Sequence, residues 1–269
     1  MISSPYFFPL RVDHLYPRST LYIFHYSGGG ASSFRPLVKD FDSGINVIGV
    51  QLPGRENRFQ ESCIEDLDTV IHDLIKAFRS YMDFLGHSMG ARMAFECVQA
   101  IWLHDISLLK HLIISGRRVP HRPNSDILRF NLTNKEMITV LKKYGVLNDV
   151  LLTDKEVLSF LLSLMHSGFK LLEQFQPKVT LSLTLPITAI GDAQDQLVLE
   201  EDLQAWKGYT IGDFKCQMSD VGWWAFFLAK RLTETSCAVN QCDCNAGCLA
   251  FFNMGRQFLC FYFIYYRDV

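Results

Sequence analysis

The sequence has no excess of charge of either sign: 26 Lys and Arg stand against 28 Asp and Glu, for a net charge of −2. Such a balance offers no field that would gather nucleic acid or an anionic membrane, and neither is expected as a partner. Long apolar runs are also lacking. The nearest, "FLCFYFIYY" at 258–266, falls well short of the roughly 20 residues that cross a bilayer. The first residues, "MISSPYFFPLRVDHLYPRST", contain neither a basic start nor a continuous apolar core with a small-residue cleavage site, so a cytoplasmic protein is expected. Cysteine is sparse through the body, with only Cys63, Cys97 and Cys216 before residue 235, as in an ordinary reduced domain. Histidine is missing from the whole chain after His166.

What is present suits one domain. The 269 residues suffice for a single large core, read here as residues 1–235, followed by a tail at 236–269. In that tail Cys237, Cys242, Cys244 and Cys248 follow a Cys-x4-Cys-x-Cys-x3-Cys spacing, which does not match the paired Cys-x2-Cys knuckles of zinc sites, and no metal is expected. Short β-rich runs at 21–25, 46–50, 82–86, 111–115, 186–190 and 214–218 alternate with helical stretches. One of these, 67–80, sets Leu67, Val70, Ile71, Leu74, Ile75 and Phe78 at helical spacing. The alternation predicts an α/β fold: a mostly parallel central sheet with helices on both faces and its active loops at the carboxyl ends of the strands. Residues 126–176 break the rhythm with two amphipathic helical segments. They suggest a lid insertion at about 122–180, or extra core helices.

Chemistry is concentrated at "FLGHSMGARMAFE", residues 84–96, where a Gly-x-Ser-x-Gly turn lies between a buried strand and a helix. That is the context of a nucleophile elbow, with Ser88 as nucleophile and its flanking glycines relieving a tight turn. The helix that follows offers the Met89 amide to a developing oxyanion. A second donor can come from "FHYSGGGASSF" (24–34), through the amide of Ser27 or Tyr26. That loop lacks the Gly-Lys-Ser/Thr ending of a phosphate loop, which argues against nucleotide binding. After the 186–190 strand, "GDAQDQLV" supplies two candidate acids, Asp192 and Asp195.

Taken with these, "LPGRENR" (52–58), "SGRRVP" (115–120) and "LMHSGFKLLEQF" (164–175) make the chain resemble the type II thioesterases of nonribosomal peptide and polyketide synthesis, and the related medium-chain fatty acyl thioesterase. The resemblance spans roughly residues 16–232. It implies an α/β-hydrolase fold with a helical lid. It also implies hydrolysis of acyl thioesters held on the phosphopantetheine arm of an acyl or peptidyl carrier protein, without a metal or organic cofactor. By position it makes Ser88 the nucleophile, Asp195 the triad acid, and the Met89 and Ser27 amides the oxyanion hole. Arg55, Arg117 and Arg118 match family signatures and receive no catalytic role.

The family supplies its triad histidine from a Gly-Gly-His-Phe-Phe-type motif after the last core strand. Here that segment reads "SDVGWWAFFLAKRL" (219–232), with Trp223, Trp224 and Ala225 where the base is expected. His87 precedes the nucleophile and should point away from it, His25 borders the oxyanion loop, and His166 lies on the insertion. Losing the triad histidine costs about a million-fold in turnover and leaves roughly 10³–10⁴ over water. Two readings follow: an impaired thioesterase, or a non-catalytic module that binds acyl groups or carrier proteins. One event at the end of the coding sequence, such as a shifted frame, would account for both the departure near Ser219 and the tail beyond it.

Overall fold

The computed structural model describes residues 4–12, 15–41, 44–78, 81–102, 109–122, 128–143, 147, 152–176, 181–195 and 197–219. The tail at 236–269 and the segment expected to carry the base, Trp223 to Ala225, lie outside them.

Seven strands form one sheet in the order β1-β3-β2-β4-β5-β6-β7. They are β1 (Phe7–Arg11), β2 (Ser19–Phe24), β3 (Ile45–Val50), β4 (Met82–His87), β5 (Leu109–Ser115), β6 (Ile187–Asp192) and β7 (Phe214–Ser219). Six run parallel, within two residues of the predicted runs. The addition is β1, which pairs antiparallel with β3 at the edge of the sheet. Its sequence, FFPLR, contains a proline that cannot donate to a ladder, which suits an edge and hides the strand from pattern reading.

Alternation along β2 shows how the sheet divides its core. Leu21 and Ile23 face one side with Phe34, Leu37, Val47, Leu85 and Ile113. Tyr22 and Phe24 face the other, with helices α1 (Leu67–Ala77) and α2 (Met89–Trp102). Helix α1 starts where Asp66 accepts from the Asp68 and Thr69 amides, and it buries Leu67, Val70, Ile71 and Leu74. It ends three residues before the predicted limit, with Phe78 extended and packed edge-on to Tyr22. Each fully buried side chain of this size stabilises the fold by about 1.5–3 kcal/mol.

Between β5 and β6 lie α3 (Asn134–Lys143) and α4 (Lys155–Glu173). They share a small core of their own, with Met137 and Leu141 against Leu161, Leu162, Met165 and Phe169. A short helix, α5 (Glu200–Gln204), precedes β7. Among the described residues, no helix is long and apolar enough to cross a membrane.

Candidate active site

Ser88 occupies the single residue between β4 and α2 and has φ of +54°. A non-glycine residue in the left-handed region stores strain of about 1–3 kcal/mol, so the surrounding chain must impose it. The neighbouring glycines show how it does so. A side chain at Gly86 would run into the Gly90 carbonyl, and one at Gly90 into the Phe24 carbonyl at the end of β2. Helix α2 therefore begins in direct backbone contact with the two strands behind it, and the Ser88 amide is tied to the Ser115 carbonyl at 2.9 Å. Ser88 is half-buried, while Met89 beside it is fully buried. The Met89 N–H belongs to the first helical turn, whose amides have no partner within the helix.

Ser27 meets Met89 under the insertion. At Gly168 of α4 an added Cβ would lie 3.0 Å from Ser27 Cβ and 3.2 Å from Met89 Sδ, so helix α4 rests its bare backbone on both residues at one point. Gly28 is overlain in the same way by Met165 and Leu161 of α4. The insertion is anchored to the rest of the fold by Lys170 to Glu65, and within it Arg129 pairs with Glu173 at 3.6 Å.

The loop holding Ser27 is braced from beneath by the "LPGRE" segment. Arg55, only 3% exposed, donates through Nη1 to the Ser27 carbonyl and, at 3.1 Å, to the Gly29 carbonyl. Burial lowers the guanidinium to about 10. Glu56, held at a φ of +46°, accepts from the Ser32 hydroxyl at 2.6 Å and the Ser32 amide at 3.2 Å. Gln51 accepts from the Ala31 amide at 2.8 Å and donates to the Arg55 carbonyl at 3.1 Å. The sequence offered Arg55 only as a family match, and its grip on the loop follows from tertiary packing across 28 residues.

Asp195 lies in the turn after β6. Its Oδ1 accepts from the Leu197 amide at 2.7 Å and the Val198 amide at 3.4 Å, and burial raises its carboxyl above the usual range. Asp192 accepts from the Gln194 amide at 2.9 Å. The Ala193 amide donates to the Ser219 carbonyl at 2.9 Å, so the chain leaves β7 directly beside this acidic turn.

No described histidine is hydrogen-bonded to the Ser88 hydroxyl. His87 Nδ1 is engaged with Ser115 Oγ at 3.1 Å, and burial lowers the ring to about 3. His25 Nδ1 is 2.8 Å from the Tyr26 carbonyl and its buried Nε2 has no partner among the described residues; burial, aided by the Arg55 charge, lowers this ring to about 3 as well. Both nitrogens of His166 are engaged inside the insertion, with the Phe130 carbonyl at 3.3 Å and Asn134 Oδ1 at 3.2 Å. Arg118 and Arg122 share Asp202 at 3.0 and 3.2 Å, and Trp206 Nε1 donates to the Arg117 carbonyl at 2.8 Å. These contacts tie the "SGRR" loop to the turn before β7. Among the described residues, no group of three His, Cys, Asp or Glu side chains could hold a metal ion.

A strained serine between a central parallel strand and a buried helix, facing a glycine-rich loop and a helical insertion, defines an α/β-hydrolase. The chain belongs to the thioesterase family, whose thioesterase-domain model matches residues 19–236. It is 32% identical over 202 residues to the gramicidin S biosynthesis protein GrsT of Aneurinibacillus migulanus, covering 74% of this chain and 79% of that protein. It is likewise 32% identical over 205 residues to the protein named linear gramicidin dehydrogenase LgrE of Brevibacillus parabrevis, covering 74% and 78%. No Gly-x-Gly-x-x-Gly dinucleotide fingerprint occurs in the present sequence. Among solved structures it is similar to the type II thioesterase BorB of the borrelidin biosynthetic cluster, with a TM-score of 0.71 and 25% identity over 81% of this chain and 89% of that one.

Proposed function

We propose that this thioesterase releases acyl groups from the phosphopantetheine arm of an acyl or peptidyl carrier protein in the cytoplasm, with turnover limited by the absence of a histidine base. The observation that carries this reading is the left-handed Ser88 at the head of α2, with Met89 and Ser27 meeting under Gly168. Ser88 Oγ attacks the thioester carbonyl, the oxyanion rests on the Met89 and Ser27 amides, and the carbon–sulfur bond breaks to release the thiol. Water then hydrolyses the acyl-serine. Without an imidazole, the serine proton passes to solvent and the thiolate takes its proton from solvent. Asp195 is the acid that would orient a base delivered from the segment after β7, and the insertion serves as the lid over the acyl chain.

The sequence itself favours one other reading. Because no histidine follows His166, the fold could serve as a carrier-protein or acyl binding module. Hydrolysis of octanoyl-pantetheine, measured beside Ser88→Ala, separates the two. The thioesterase reading expects slow cleavage in the parent that Ser88→Ala slows further without bringing it to the rate in buffer. Equal inertness of both proteins, with carrier protein still bound, would establish the binding module instead.

A further inference from the structure

The loop that carries Ser27 is not left to find its own conformation. Two successive peptide groups in it are gripped by their carbonyls. The Tyr26 carbonyl accepts from the Gly29 amide at 3.1 Å and lies 2.8 Å from His25 Nδ1, which donates when that nitrogen bears the proton. The next carbonyl, that of Ser27, accepts from the buried Arg55 guanidinium, which also holds the Gly29 carbonyl.

A trans peptide sets its C=O and N–H in opposite directions. Holding the Tyr26 carbonyl therefore turns the Ser27 N–H away from His25. Holding the Ser27 carbonyl turns the Gly28 N–H away from Arg55. Among the described residues neither the Ser27 nor the Gly28 amide has an acceptor, whereas Gly29 and Gly30 spend theirs inside the loop. Two unspent donors on one short loop, beside Met89 and beneath α4, are an arrangement that isolated glycines would not hold. Three glycines in a row lose more conformational entropy on ordering than any other residues would, so something must fix them.

We propose that Arg55 is a positioning residue of the oxyanion hole: it aims the Gly28 amide at the carbonyl attacked by Ser88, beside the Ser27 amide that the hold on the Tyr26 carbonyl sets, and Gly28 is a further donor. The proposal rests on the thioesterase reading above. The positive charge also polarises the Ser27–Gly28 peptide in the useful sense, drawing electron density toward the carbonyl and leaving the Gly28 N–H a stronger donor. Gln51 and Glu56 complete the brace from the same segment, through Ala31 and Ser32.

The test pairs Arg55→Met with Arg55→Lys, which can still reach one carbonyl. Amide hydrogen exchange resolved to residues 26–30 reads the brace without reference to turnover. Arg55→Met should speed exchange there by about tenfold while α1 and α2 keep their protection, and Arg55→Lys should fall between. Slow cleavage of octanoyl-pantetheine reads the consequence. Arg55→Met should lower kcat by roughly 100-fold at nearly constant KM, as removal of an oxyanion donor does, with partial recovery in Arg55→Lys. Unchanged exchange at 26–30 overturns the proposal. So does faster exchange with unchanged kcat, or a loss confined to KM. A parent protein that does not cleave the thioester above buffer sinks the thioesterase reading, and the positioning role falls with it.

Discussion

Ser88 is held in a left-handed conformation that costs free energy, the kind of strain that clusters at functional sites. Among the described residues no histidine is hydrogen-bonded to its hydroxyl, and the histidines near it are unsuited by their surroundings. His25 and His87, each held to about 3, are neutral throughout the neutral range and already engaged through Nδ1. Any cleavage by this protein should therefore show no imidazole inflection between pH 5 and 8. In the family pattern the base stands immediately before Phe-Phe, a place filled here by Ala225. Ala225→His should raise kcat for octanoyl-pantetheine by about 100-fold or more, since losing that group costs about a million-fold. It should also introduce an inflection near pH 6.5. A variant as slow as the parent, with a flat profile, would show that the segment after β7 does not deliver a side chain to Ser88.

Helix α4 shows what a whole element contributes. At its Gly168 the insertion touches both Ser27 and Met89, and a larger side chain there must lift the helix or push the Ser27 loop aside. Gly168→Val should cost about 1–3 kcal/mol in urea unfolding. It should slow thioester cleavage by roughly ten- to a hundredfold, because displacements of about 1 Å are felt at that level. Cleavage at the parent rate would mean that the helix packs beside the site without setting its geometry. The elements were largely legible from sequence: six parallel strands and α1 follow from apolar runs and spacing, and the elbow from two glycines whose Cβ positions are blocked by backbone. Strand β1 was not, because Pro9 and half-buried side chains give it neither a ladder pattern nor an apolar run. Nor were the contact at Gly168 and the grip of Arg55 on the Ser27 carbonyl legible. Both join residues far apart in the chain, and no local spacing encodes them.

Across the described residues, the buried imidazoles of His25 and His87 tie stability to pH, and His111, lowered to about 4 by burial and by the Lys215 charge, acts in the same sense. His25 and His87 are 2% and 8% exposed and sit at about 3 when folded, whereas in the unfolded chain they return to about 6.5. Between those values the unfolded state binds protons that the native state refuses, so stability rises with pH across the interval. The contribution is complete above pH 6.5 and is lost as pH falls toward 3. One unit below the unfolded value, at pH 5.5, each ring costs on the order of 1 kcal/mol. Glu56, Asp83, Glu96 and Asp195 work in the opposite sense, since burial raises each carboxyl and the native state then holds its proton more firmly than the unfolded chain does. The net loss on acidification is thus smaller than the histidine share alone. Replacing one ring isolates that share. His87→Gln keeps a donor for Ser115 but cannot titrate, so its loss of unfolding free energy between pH 7.0 and 5.5 should be smaller than the parent's by on the order of 1 kcal/mol. Equal losses in the two proteins would place the acid sensitivity elsewhere than in His87.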